Sequence, residues 1–389
     1  MKSFRADYVF PVCADPIKNG IITVDDTGKI ISVTDQNSPP PDVPVEHLSG
    51  VICPGFVNSH CHVELSHLKE KISPHTGLVN FIMGVQKFRN IDKSEIVDAA
   101  YKADSEMFEN GIVAVGDISN SNNSIEVKQA SKLHYHTFVE TFGFLPSKAG
   151  ETFNKALELL KEFRPMPSSI TPHAPYSVSK ELFKLIRDYS ATGQNLTSIH
   201  NQECEDENKF YRYKIGGFLN MYAAFGIDIN HFKPQARNSV QSILPLLSDK
   251  QEILMVHNTF TNLKDIYFLK RFDHKITWCF CPNANLYIEN RLPKVELFIG
   301  QGSNITLGTD SLASNNNLCI LSEMRTLQHH IPAISTAKLI EWATLNGARF
   351  LGVDDEKGTL EPGKTPGLNL ITGLDDLTIT PETKVKRLI

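Results

Sequence analysis

Eight short apolar runs, ending in polar residues and separated by stretches with helical spacing, restrict this chain to very few architectures. They are Val51–Asn58, Ile112–Ile118, Leu133–Glu140, Ser169–His173, Leu196–His200, Ile253–His257, Lys275–Cys281 and Asn304–Thr309. Helical spacing covers Ser94–Asn110, Glu151–Arg164, Ser179–Tyr189, Leu263–Phe272 and Thr336–Leu351. In the first of these, Ile96, Ala99, Ala100, Ala103 and Met107 mark one face before Gly111 caps it. Eight strands with intervening helices is the count for a closed parallel barrel, so the expected fold is α/β, a (β/α)8 TIM barrel. An open doubly wound sheet alternates in the same way, but it usually carries a glycine-rich phosphate turn after its first strand, which this chain lacks.

The two ends of the chain read differently. Gly20–Val33 is a pair of β-branched runs around Asp25-Asp26-Thr27-Gly28, a hairpin by turn chemistry. Polar, proline-rich Asn37–Pro44 follows it, and Lys357–Thr372 is again β punctuated by Gly and Pro. Neither piece is large enough for its own core. The expectation is therefore one small β-sandwich built from residues 1–52 and 356–389, beside a barrel spanning 53–355. A chain of 389 residues accommodates both. One connection is oversized: Asn201–Ser248 carries seven aromatic residues from Phe210 to Phe232, which suit a private mini-core, a lid over the barrel mouth, or both.

Composition narrows the partners. A net charge of −5 with no basic block argues against nucleic acid or an anionic membrane surface. No window approaches the roughly 18 apolar residues of a membrane span. The start, MKSFRADYVFPVCADP, lacks a signal-peptide core, and seven scattered cysteines do not make a disulfide framework, so the expected compartment is the cytoplasm. Cys279 and Cys281 flank one residue and read as buried strand positions.

Polar residues at the run ends carry the chemistry. In a barrel these ends converge on one mouth. The first run leads into His60-Cys61-His62, the fourth ends in His173, the fifth in His200, the sixth in His257, and Asp310 follows the eighth. One histidine after a strand is usually a satisfied polar group; five strand ends offering imidazole or carboxylate indicate a metal site. On an extended strand His60 and His62 share a side. Imidazole and carboxylate ligands suit Zn²⁺ or Fe²⁺, and such an ion lowers the pKa of bound water towards about 7. Glu203, in His200-Asn201-Gln202-Glu203, is placed to shuttle a proton; the bland alternative is a solvated charge opening the acidic cluster Glu203–Glu207.

At these residues the sequence resembles the amidohydrolase superfamily, in its deaminase and chlorohydrolase branch. The motifs are Pro54-Gly55-Phe56-Val57-Asn58-Ser59-His60-Cys61-His62, His200–Glu203, Val256-His257-Asn258, Cys281-Pro282-Asn283-Ala284-Asn285, Gly308-Thr309-Asp310-Ser311 and Gly358–Lys364. The resemblance implies that His60, His62, His200 and Asp310 hold one divalent metal, Zn or Fe. It implies that His257 orients the attacking water or the intermediate, that Glu203 is the general acid/base, and that His173 and Ser311 contact substrate. Binuclear relatives carry a carboxylated lysine at the end of the fourth strand, where this chain has His173. The implied reaction is hydrolytic deamination of a purine-like ring in a small molecule, and homodimers are common among relatives.

Glu64-Leu65-Ser66 is similar to aminodeoxyfutalosine deaminases of menaquinone biosynthesis. Glu64, two residues beyond His62, is read as a substrate contact or as the partner of Lys69 or Lys71. Arg291 is read as an anchor for the carboxylate of a benzoate-bearing nucleoside, or as a surface arginine on a turn. Guanine, adenosylhomocysteine and s-triazine substrates, or amide cleavage, remain alternatives on the same scaffold. His62-Val63-Glu64 mimics the cytidine-deaminase type of zinc site, but the required P-C-x-x-C is absent. A catalytically silent barrel would typically have lost ligands that are present here.

Overall fold

The computed structural model describes residues 1–35, 37–38, 43–190 and 196–389; part of the proline-rich stretch 37–44 lies outside them. Eight parallel strands appear: β1 (Phe56–Cys61), β2 (Ile112–Ser119), β3 (His134–Thr141), β4 (Ser168–Pro172), β5 (Leu196–Asn201), β6 (Glu252–His257), β7 (Lys275–Phe280) and β8 (Asn304–Leu307). They pair as two four-stranded sheets in sequence order. One seam closes through a parallel bridge between Cys61 and Asp310, where the N–H groups of Thr309 and Asp310 both donate to the His60 carbonyl at 3.0 and 3.1 Å. At the other, His200 N–H donates to the His173 carbonyl at 2.9 Å, and Ser198 N–H donates to Thr171 Oγ1 at 2.7 Å. The result is a closed (β/α)8 barrel. Its strands are buried on both faces, β2 at every position, which is why they read as near-continuous apolar runs.

Local chemistry sets the element ends. The helix Lys93–Glu109 buries Ile96, Ala100, Ala103 and Met107 and stops before Gly111, whose φ is +78°. A Cβ on Gly111 would lie 2.3 Å from Asn369 Oδ1, so glycine lets the C-terminal segment dock there, with Asn369 Nδ2 donating to the Gly111 carbonyl.

Two runs divide where the sequence suggested continuity. Val51–Asn58 breaks at Gly55, between a strand of the terminal sheet (Val45–Pro54) and β1; a Cβ on Gly55 would meet Val113 at 2.2 Å. Thr336–Leu351 is two helices, Thr336–Ala343 and Leu345–Leu351, with Thr344 at φ −132°, ψ −84°. The bend seats Gly347 against β1, where a side chain would fall 2.7 Å from Ser59 Oγ.

Both termini enter one sheet. Lys2–Val9, Ile17–Lys18, Ile21–Val24, Ile30–Thr34 and Val45–Pro54 are joined by Leu368–Thr372 and Lys384–Arg387. The expected hairpin is present, its turn held by Thr27 and Lys29 N–H groups donating to Asp25 Oδ1. Phe4, Val9, Ile22, Ile52, Leu368 and Leu370 give this sheet its own apolar cluster. In the stretch 357–372 only Leu368 onward is strand; before it, Gly363 N–H and the Lys364 carbonyl pair with the carbonyl and N–H of Ile30.

The insertion after β5 contains the helices Glu205–Tyr213 and Gly217–Ala224. Most of its aromatics pack inward, Tyr213 and Phe225 being exposed: Phe210 stacks on Phe232 at 4.6 Å, Phe218 on Tyr176 at 4.2 Å and Tyr222 on Phe144 at 5.0 Å. No described helix is long and apolar enough to cross a membrane.

Candidate active site

The strand ends bring the histidines together. His62 Nε2 lies 3.2 Å from both His60 Nε2 and His200 Nε2, and Asp310 Oδ1 lies 3.5 Å from His62 Nε2 and 3.9 Å from His60 Nε2. His200 Nδ1 is 2.8 Å from the His173 carbonyl oxygen, which places its proton on Nδ1 and turns the Nε2 lone pair toward the cluster. Three buried imidazole nitrogens converging beside a carboxylate cannot satisfy one another with hydrogen bonds, and a divalent cation resolves the arrangement. The donor set fits zinc or iron. A second grouping, Glu140, His173 and His200, also comes close. There the His200 nitrogen beside Glu140 is Nδ1, 3.6 Å from Oε1, and this nitrogen already faces the His173 carbonyl oxygen at 2.8 Å.

Across the mouth stand Glu203 and His257, with Glu203 Oε1 3.6 Å from His257 Nε2. Asn285 Nδ2 donates to His257 Nδ1 at 3.1 Å and to Thr259 Oγ1 at 2.9 Å. That bond leaves the His257 proton on Nε2, a buried donor without a protein partner, pointed at the site. Asp310 Oδ2 accepts from Ser314 Oγ at 2.7 Å, and Ser311 lines the cavity next to it. His173 lines it from the other side, its Nδ1 2.7 Å from Ser177 Oγ.

Turning these side chains inward requires unusual backbone. Gln202, His257, Asn258 and Asp310 have φ of 45°, 72°, 58° and 56°. Left-handed backbone in non-glycine residues costs of order 1–3 kcal/mol each and persists only where the surroundings enforce it. Here they do: Asn201 Nδ2 donates to Asn258 Oδ1, and Asn258 Nδ2 to the Met255 carbonyl.

Burial dominates the electrostatics. It pushes the Glu203 carboxyl well above the ordinary carboxylate range, with the Asp310 and Glu289 charges adding to it. Burial raises Asp310 to about 7 against the Ser314 hydrogen bond. The same burial, reinforced by neighbouring imidazoles, holds His60, His62 and His257 far below the usual imidazole value.

Above this floor lies a cavity of about 310 Å³. Leu78, Phe81 and Val85 form one wall, while Phe144, Tyr222 and Phe225 form another. The insertion therefore acts as mini-core and cover together.

Two expected contacts are elsewhere. β1 ends at Cys61, and Val63–Leu68 is a 3-10 helix, so strand parity does not carry on to Glu64. Its buried carboxylate accepts from Asn120 N–H at 3.0 Å, Ser121 N–H at 3.2 Å and Ser121 Oγ at 3.0 Å, pairs with neither Lys69 nor Lys71, and faces the loop after β2 instead of the cavity. Arg291 is exposed, with its guanidinium 4.5 Å from the Phe260 ring centroid, and does not line the cavity.

The structure adds Arg89, Asn120, Glu140 and Asn285. Glu140 closes the third run, so the strand-end argument applied to it as well. Asn285 lies inside the Cys281–Asn285 motif. Arg89 follows the helix Leu78–Phe88, whose apolar spacing at Leu78, Phe81, Ile82 and Val85 is legible in the sequence.

A closed barrel whose strand ends gather histidines, an aspartate and a buried glutamate defines a hydrolytic enzyme. The amidohydrolase family model matches residues 51–387. The chain belongs to this family and is a hydrolase of carbon–nitrogen bonds other than peptide bonds. An adenosine deaminase of Helicobacter pylori is 27% identical over 332 residues, covering 83% of this chain and 79% of the relative. The crystal structure of H. pylori aminofutalosine deaminase with methylthio-coformycin has a TM-score of 0.84 at 22% identity, covering 100% of both chains. That of an adenosine deaminase from Xanthomonas campestris with bound zinc has a TM-score of 0.72 at 22% identity, covering 95% of this chain and 84% of the other.

Proposed function

We propose that this enzyme hydrolytically deaminates the amine-bearing ring of a purine nucleoside, with 6-aminodeoxyfutalosine as the substrate, around one divalent cation, zinc or iron. The observation that carries the reading is the pairing of Glu203 with His257 over the His60, His62, His200 and Asp310 cluster. Relatives named adenosine deaminase and aminofutalosine deaminase support the adenine-like ring.

His60, His62, His200 and Asp310 would hold the cation, whose Lewis acidity makes water nucleophilic near neutral pH. Asp310 accepts the water proton and holds the nucleophile in line with the amine-bearing carbon. Glu203 is kept protonated by burial and donates to the adjacent ring nitrogen, so charge does not build on the ring as the carbon becomes tetrahedral. His257 Nε2–H donates to the oxygen added at that carbon. The Glu203 carboxylate then takes the proton of the added hydroxyl as the carbonyl forms and passes it to the departing amine; ammonia leaves, and the proton held by Asp310 restores the Glu203 acid. His173 and Ser311 flank the ring, and the apolar walls exclude competing water.

An ammonia-release screen of metal-loaded enzyme tests this. It sets 6-aminodeoxyfutalosine against adenosine, adenosylhomocysteine, methylthioadenosine, guanine, cytosine and an amino-substituted s-triazine. The nucleoside is expected to react fastest, and Glu203→Gln to lose about 10²–10⁴-fold in kcat with its metal retained. Activity on guanine or triazines alone refutes the nucleoside reading. Two metal equivalents per chain would contradict the single-cation site.

A further inference from the structure

We propose that Arg89 binds a carboxylate carried by the substrate on the substituent remote from the amine-bearing ring. This rests on the deaminase reading and adds a specificity determinant to it.

Arg89 is the one arginine or lysine among the described residues that line the cavity. It is half-buried, and among the described residues its guanidinium makes one long hydrogen bond, Nη2 to Asn120 Oδ1 at 3.3 Å. No described carboxylate lies within ion-pairing distance of it. Exposed ion pairs on this chain are common, so a cavity-facing guanidinium without one is unusual. Asn120 explains how the fork is aimed. Its Nδ2 donates to Glu140 Oε2 at 2.8 Å and its backbone N–H donates to Glu64 Oε2 at 3.0 Å, which leaves the amide oxygen facing Arg89. Glu64, although away from the cavity, thereby fixes the loop that orients the arginine.

The surroundings define what fits. Phe81, Ile82 and Val85 rise from the helix preceding Arg89, and Phe142 and Phe225 stand partly exposed at the mouth. A ligand spanning this space has an apolar or aromatic middle. Arg89 sits on the side formed by the ends of β1, β3 and β4, where its charge acts on His62, Glu140 and His173. Glu203 and His257 follow β5 and β6. A ring held at Glu203 therefore leaves its substituent free to run toward Arg89. A single cation suits a monoanion, and a planar carboxylate matches two parallel N–H donors. A phosphate dianion would call for further donors that this wall does not offer.

The test uses metal-loaded enzyme and two hypoxanthine nucleosides, the deaminated products, carrying at the 5′ end a benzoate or its neutral benzamide. Affinities are measured by calorimetry for wild type, Arg89→Met and Arg89→Lys, and the corresponding adenine nucleosides are assayed for ammonia release. Wild type is expected to favour the benzoate by about 10–100-fold, the range of a charge-assisted hydrogen-bonded pair. Arg89→Met should reduce the benzoate to the benzamide's affinity, and Arg89→Lys should restore part of the preference. Equal binding of the two nucleosides by wild type overturns the proposal, as does an equal loss for both in Arg89→Met. If both adenine nucleosides are deaminated without discrimination, the deaminase reading stands and the Arg89 role falls. If neither is bound or deaminated while guanine or a triazine is turned over, both fall.

Discussion

Lys128→Met should destabilise the enzyme far more than a single hydrogen bond would suggest. Lys128 Nζ lies 2.6 Å from Asp117 Oδ2, and both side chains are 0% exposed. The ammonium also donates to Ser119 Oγ and Thr137 Oγ1, each at 2.9 Å, and stands 4.9 Å from the Phe163 ring centroid. Methionine keeps most of the stem and deletes the charge, leaving Asp117 buried and uncompensated at a cost of about 3–5 kcal/mol. With 389 residues, an unfolding entropy of about 2.1 cal/mol/K per residue gives roughly 0.8 kcal/mol per kelvin, so Tm falls by about 4–6 K. Asp117→Asn/Lys128→Met removes both charges, and its amide oxygen still accepts from Val63 N–H, which Asp117 Oδ1 now does at 2.8 Å. The double variant should therefore recover most of the loss. Scanning calorimetry of metal-free samples at one scan rate decides the matter. A shift below about 1 K for Lys128→Met, or a double variant no more stable than the single one, refutes the reasoning. Because Val63 adjoins His62, the single variant should also bind the cation more weakly.

His136, buried in β3 beside Ser169, is held at about 3, chiefly by burial. The unfolded chain binds a proton there below about 6.5 and the fold does not. The stability His136 contributes is thus complete above that pH and is lost as pH falls. Wild type should lose about 2 kcal/mol relative to His136→Gln between about pH 7.5 and 5, the slope approaching about 1.4 kcal/mol per unit below about 6.5, read as Tm against pH; parallel curves would contradict it. Asn285→Ala should lower kcat by about 10–100-fold with metal content unchanged, because His257 loses the bond that sets its tautomer; metal loss would show a different role. Arg291→Ala should leave KM for a carboxylated nucleoside within about twofold and cost at most about 1 kcal/mol from its contact with Phe260. A large rise in KM would bring Arg291 back to the substrate.

Period and polarity made the barrel legible. Fully buried strands read as apolar runs of strand length, and the mouth of a parallel barrel collects whatever follows each run. His60, His62, His173, His200, His257 and Asp310 all emerge from that rule, and Glu203 from its spacing to His200. What stayed hidden depends on contacts between distant segments. Gly55 looks like part of one run until Val113 is placed against it. Glu64 has the right parity only while β1 continues; the chain instead turns into a 3-10 helix, and the loop at Asn120–Ser124 offers donors to the Glu64 carboxylate there. Arg291 and Arg89 cannot be ranked from sequence. Each follows a helix, and only packing shows that one helix end faces the cavity and the other faces solvent.

The insertion after β5 couples cover and catalysis through Gln202. This residue holds a left-handed backbone immediately before Glu203, and its side chain donates to Asn208 Oδ1 at 2.9 Å and Asp265 Oδ2 at 3.1 Å while accepting from Thr261 Oγ1 at 2.7 Å. Its backbone N–H donates to Glu207 Oε1 at 2.9 Å. Glu207 and Asn208 belong to the first helix of the insertion, and Phe210 on that helix stacks against Phe232. The aromatic packing thus anchors the segment that strains Gln202, and the strain is what aims Glu203 at His257. A loosened cover would not merely admit water; it would release the acid from its position. The dense aromatic content of a connection that, besides Glu203, lines the cavity with Met221, Tyr222, Phe225 and Ile227 follows from that second task.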